Sequence, residues 1–138
     1  MALYPPIVAS SMPAFNINDG KVRVYYTLST YNVAKIDDIS SVQVSVRRQS
    51  SNVNVLKNDS EITEKSFGLQ GDTDKALNRY YIEISNDDLK EKEPFQVDAL
   101  YKVQLRFCSS NSSSNASYYT ANISNYSEWS TVCIIKPI

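Results

Sequence analysis

Four segments of this chain alternate apolar and polar residues with a period of two, and that period decides the fold class. In "KVRVYYTLS" (21–29), Val22, Val24, Tyr26 and Leu28 fall on one face, and Arg23, Tyr25 and Thr27 on the other. "SVQVSVRRQ" (41–49) repeats the pattern with Val42, Val44 and Val46. "RYYIEIS" (79–85) repeats it with Tyr80, Ile82 and Ile84, and "LYKVQLRFC" (100–108) with Tyr101, Val103, Leu105 and Phe107. Successive side chains of a strand point to opposite faces, so each segment reads as a half-buried strand. "WSTVCIIKP" (129–137) reads as a last strand ended by Pro137, which cannot donate to a ladder. "YPPIVAS" near the N-terminus is extended and suits an edge, and "NVNVLK" (52–57) reads as a short strand after "SVQVSVRRQ". Only "DTDKALN" (72–78) and "SNDDLKEKEPF" (85–95) carry a helical signal, one turn each. In the second, Ser85, Asn86 or Asp87 supplies the cap and Pro94 the stop. Short strands with polar turns between them predict an all-β fold: one antiparallel β-sandwich of about seven strands. The 138 residues form a single domain, with 1–15 as an N-terminal arm or edge strand and 109–127 as a long loop between the last two strands.

Composition excludes several chemistries. The chain has no histidine, which removes the commonest general base and the commonest metal ligand. Its two cysteines lack CxxC spacing, and three glycines cannot build a phosphate-binding loop. No enzyme, cofactor or metal is expected. A net charge of −1 gives no basic excess for nucleic acid, and the longest apolar runs are far too short for membrane insertion. "MALYPPIVASSMPAF" has no basic residue before its apolar stretch and is a poor signal peptide. Tight antiparallel pairing sets Cys108 opposite a residue near 126 and Cys133 opposite the start of the preceding strand, so both thiols are expected to be free, as suits a reducing cytoplasm. Asp72 and Asp74 of "GDTD" read as a solvated turn, since calcium needs six to eight oxygens. The five Asn-x-Ser matches read as chance in an Asn/Ser-rich chain.

The C-terminal part, "EPFQVDALYKVQLRF…NYSEWSTVCII", resembles the C-terminal half of a fibronectin type III domain. The resemblance implies that Tyr101 forms a tyrosine corner, its hydroxyl bonded back across the preceding turn with Phe95 packed beneath. "SEWS" resembles the serine–tryptophan–serine signature that opens the last strand of such domains. By that likeness Trp129 stacks on Arg106 of the neighbouring strand and is structural. A fibronectin domain usually buries a tryptophan in its second strand, and here Tyr25 or Tyr26 has to stand in.

Across nearly all 138 residues, "MALYPPIVASSMPAF", "VYYTLSTYN", "ISSVQVSVRRQSSNVNVL", "YYIEI" and "YSEWSTVCIIKPI" resemble the N-terminal region of virion proteins of tailed bacteriophages that infect low-GC Gram-positive hosts. These are assigned to the tail or baseplate. The resemblance implies a non-enzymatic structural or adaptor module of the virion tail, assembled in the host cytoplasm. Its partners would be other virion proteins and further copies of itself in a ring. The arm offers Leu3, Tyr4, Ile7, Val8, Met12 and Phe15 as docking residues; alternatively the arm is the domain's own first edge strand. The rival function is recognition of a host-surface glycan or protein through the Ser/Asn/Tyr-rich loop 109–127, with Tyr118, Tyr119 and Tyr126 as candidate contacts.

Overall fold

A computed structural model describes residues 3–57, 62–65, 79–90, 94–109 and 126–138, apart from the side chains at 40, 41 and 62–65. Among the described residues, two antiparallel sheets and almost no helix make the fold all-β. In chain order the strands are β1 (Ile7–Val8), β2 (Lys21–Thr27), β3 (Ile39–Arg48), β4 (Ile62–Lys65), β5 (Arg79–Ser85), β6 (Tyr101–Ser109) and β7 (Cys133–Ile135). One sheet has the order β1-β2-β5 and the other β4-β3-β6-β7.

The period of two sets the register. In the first sheet Val24 faces Ile82 and Tyr26 faces Tyr80; in the second Val42, Val44 and Val46 face Phe107, Leu105 and Val103. All of these are buried, and the inner faces of both sheets supply one hydrophobic core. Of the two tyrosines at 25 and 26, it is Tyr26 that points inward. It stacks on Tyr80 at 5.8 Å and meets Phe107 of the other sheet edge-on at 5.7 Å. Tyr26 is 1% exposed, and among the described residues its hydroxyl has no hydrogen-bond partner. Burial, with Tyr80 beside it, pushes its pKa far up. Replacing Tyr26 with Phe is therefore expected to raise stability by about 1 kcal/mol, because an unsatisfied buried polar group is removed. Because its folded pKa is raised, the native tyrosine's contribution is constant below the ordinary value of 10.0 and falls above it. Urea titrations at neutral and alkaline pH should show Y26F losing less stability above that value.

The arm is an edge strand that serves both sheets. Ile7 and Val8 pair with Thr27 and Tyr26 of β2. The chain then crosses to run parallel to β7 and the residues after it, with bridges Ser11–Ile134 and Phe15–Pro137. Ile134 N–H donates to Ser10 O (2.9 Å), Met12 N–H to Ile134 O (3.0 Å) and Phe15 N–H to Lys136 O (3.1 Å), while Ile138 N–H donates to Phe15 O (2.8 Å). Upstream, the side chain of buried Asn32 imitates a neighbouring strand. It accepts from Tyr4 N–H at 3.0 Å and donates to Tyr4 O at 2.7 Å. Asn32 sits in a short helix, α1 (Thr30–Ala34), whose cap is Ser29.

Several expectations need correction. The last strand is a ladder only over Cys133–Ile135. Residues 52–57 make isolated bridges, Arg47–Asn54 and Leu56–Leu89, and the strand that follows β3 is β4. Val55 and Leu56 are adjacent yet both fully buried, which a surface strand does not allow; here the chain passes from β3 towards Leu89. The single turn expected after β5 is present, as a 3-10 turn, Asn86–Asp88, with Ser85 and Asp88 forming a capping box. The turn expected at 72–78, Asp72 and Asp74, and the loop up to residue 125 lie outside the described residues.

Candidate functional site

The residues around "YSEWS" form one brace on the outside of β6. Arg106 projects from β6 with its guanidinium carbon 4.5 Å from the ring centre of Trp129 and 4.1 Å from that of Tyr126. Its Nε donates to Gln43 Oε1 at 2.7 Å, tying the stack to β3. The two serines do what a strand's backbone would otherwise do. Phe107 N–H donates to Ser127 Oγ and Leu105 N–H to Ser130 Oγ, each at 2.9 Å. Ser127 N–H and Ser130 N–H return the bond to Phe107 O and Leu105 O at 3.0 and 2.7 Å. The hydroxyl hydrogens go to Glu128 O and Thr131 O. Both serines are buried, so these bonds satisfy groups that water cannot reach.

Tyr126, expected in a recognition loop, thus shares a stack with Trp129. The signal in the sequence was a repeat of three: Tyr126-Ser127, one residue, then Trp129-Ser130. A three-residue period turns both aromatics to Arg106 and both serines to β6, whereas a strand's period of two would split them. Tyr118 and Tyr119 lie outside the described residues.

Tyr101 opens β6, fully buried, and its hydroxyl accepts from Gln96 N–H at 2.9 Å across the corner before the strand. Phe95 meets Tyr101 edge-on at 5.1 Å, and Phe15 of the arm meets Phe95 at 5.2 Å. The corner, the arm and β6 are one aromatic row. Asp98 within the corner takes a φ of 70°.

Of the arm residues, Leu3 is buried and Val8, Met12 and Phe15 pack against the core, while Tyr4 and Ile7 stay exposed at 58% and 53%. An apolar concavity of about 340 Å³ lies beside them, lined by Tyr4, Pro5, Pro6, Ile7, Val8, Ser29 and Thr131. Tyr4 is held edge-on against Tyr31 at 5.2 Å. The two cysteines form no disulfide; Cys108 lies opposite Tyr126 and Cys133 opposite Val103. Burial pushes the Cys133 thiol up, away from the reactive thiolate.

A second group of polar residues lies on the outer face of β2 and β5. Arg23 Nε donates to Glu83 Oε2 at 2.7 Å, and Lys21 Nζ lies 3.7 Å from the same oxygen. The Arg23 hydrogen bond holds the Glu83 carboxyl below its ordinary 4.5. A depressed carboxylate contributes stability above its unfolded pKa and loses it as pH falls through the folded one. Melting curves should therefore show Glu83→Gln less stable than the native chain at neutral pH, with the gap closing below about pH 4.

Among the described residues no three histidine, cysteine, aspartate or glutamate side chains gather as a metal site would require. The chain matches no family model and no curated protein.

Proposed function

We propose that this chain is a non-enzymatic structural or adaptor module, a single fibronectin type III-like sandwich that works by docking to other proteins, and that its place is the tail or baseplate of a bacteriophage virion. The sheet orders β1-β2-β5 and β4-β3-β6-β7, the hydroxyl bond of Tyr101 across its corner and the Arg106–Trp129 stack support the fold reading. The observation that carries the docking reading is what the arm leaves uncovered. Tyr4 and Ile7 are exposed aromatic and aliphatic anchors beside a concavity, on a segment that prolines and Asn32 hold in place. Anchors ordered in advance lose little entropy on binding. The whole-chain resemblance to tail proteins supplies the setting. Partners are other virion subunits and, in a symmetric particle, further copies.

The test is to purify phage particles from cells carrying the gene and probe them with antibody to this chain. The reading expects the chain to co-sediment with particles and label the tail end. A chain confined to the soluble fraction contradicts it.

A further inference from the structure

The outer face of the three-stranded sheet carries a chemistry that the arm does not. Lys21, Arg23 and Tyr25 of β2 stand beside Glu83, Tyr81 and Arg79 of β5. The guanidinium of Arg23 lies 4.3 Å from the Tyr81 ring centre and that of Arg79 lies 5.7 Å from the Tyr25 ring centre. The two rings are 5.9 Å apart. These outward positions hold three cations and one carboxylate. Taking the four from the chain's 14 basic and 15 acidic residues leaves 11 basic and 14 acidic. A basic face therefore sits on an otherwise acidic molecule, the arrangement that steers an acidic partner to one side.

At one corner of this face the arm departs. β1 pairs with only the last two residues of β2 before the chain crosses to the other sheet. The crossing leaves a concavity of about 340 Å³, lined by Ile7, Val8, Ala9 and Met12 of the arm, by Tyr25–Thr27 of β2 and by Arg79 of β5. Aliphatic walls next to a guanidinium suit a large apolar side chain with a carboxylate beside it.

We propose that this face docks an acidic, extended segment of a partner protein, with one large apolar side chain seated in the concavity, a carboxylate beside it on Arg79, and a further carboxylate about six residues along the segment on Lys21 at the other end of β2. A phosphate polymer would match the charge but leave the aliphatic walls without an occupant. The proposal deepens the docking reading by naming a face and a partner chemistry.

The test uses two labelled synthetic peptides, one with a phenylalanine flanked by glutamates and one with lysines in place of the glutamates, in fluorescence anisotropy with the intact chain. The acidic peptide is expected to bind at least about tenfold more tightly and to weaken as salt rises. Changing its phenylalanine to alanine should cost at least about fivefold. That comparison needs no protein variant, so it stands even if charge reversal disturbs folding. In the Lys21→Glu/Arg79→Glu double variant, with an unchanged melting temperature as the check on folding, the preference should vanish. Equal binding of the two peptides overturns the proposal. So does inorganic polyphosphate that competes as well as the acidic peptide, or a dimer in light scattering that the double variant breaks, which would give the face to a second copy. Co-sedimentation with particles tests the virion reading separately, so peptide binding by a chain absent from particles would sink that reading and leave this face standing.

Discussion

Deleting residues 1–17 is expected to abolish cooperative folding. The segment buries Leu3, packs Val8, Met12, Phe15 and Ile17 on the core, and pairs with both β2 and the last residues of the chain. Fully burying one such side chain contributes about 1.5–3 kcal/mol, and a domain's whole stability is about 5–15 kcal/mol. Partial burial of four of the five lowers the sum, yet it still takes most of that margin. The deletion also uncovers the backbone of β7, whose Ile134 N–H donates to Ser10 O. Far-ultraviolet circular dichroism through a urea titration reads the outcome. The account expects a broad, shallow change in place of the native sigmoid. A truncated chain that keeps its sheet signal and its urea midpoint would mean that the arm is a detachable docking tail. Phe15→Ala is the graded version. It removes one ring from the Phe15–Phe95–Tyr101 row and should cost about 2–3 kcal/mol.

The second large effect is expected at Tyr101. Tyr101→Ala empties a fully buried site in the middle of that row and should cost about 3–5 kcal/mol, as large-to-small aromatic changes do. Tyr101→Phe separates the hydroxyl from the ring. It keeps the packing and leaves Gln96 N–H without its acceptor, at about 1–2 kcal/mol. The ratio between the two is the informative quantity. A large loss in Tyr101→Phe would give the hydroxyl the main role at the corner; a loss confined to Tyr101→Ala would give that role to the ring. Neither change should alter which strands pair, since the register of β6 against β3 is set by Val103, Leu105 and Phe107.

The inner faces of β2, β3, β5 and β6 were legible because one sheet face is dry and the other wet, and a period of two in the sequence is the direct trace of that. Other elements left no such trace. β4 reads Ile-Thr-Glu-Lys, with one apolar residue in four, and its place at the edge of its sheet asks for no more. The helix at Thr30–Ala34 is too short to show a 3.6-residue period, although Ser29 is an ordinary cap. The crossing of the arm from one sheet to the other depends on partners more than a hundred residues away, which no local pattern encodes. At the candidate site, the contacts of Tyr101 with Phe95 and of Arg106 with Trp129 were expected from a resemblance and not from any local period. The contact of Tyr126 with Arg106 was not expected, because its loop was read as one polar stretch and the aromatic–serine repeat crosses its boundary. Asn32 was missed for a general reason: a side chain that imitates backbone looks in sequence like any loop asparagine.

"YSEWS" fastens the last part of the chain to β6 as firmly as a ladder would. The most direct test is native-state hydrogen exchange at the amides of Leu105 and Phe107, whose hydrogens are given to the hydroxyls of Ser130 and Ser127. Exchange is expected only through global unfolding, with protection matching that of Val44 and Val46 in the adjoining strand. Exchange of those two amides at rates typical of open loops, while Val44 and Val46 stay protected, would contradict it.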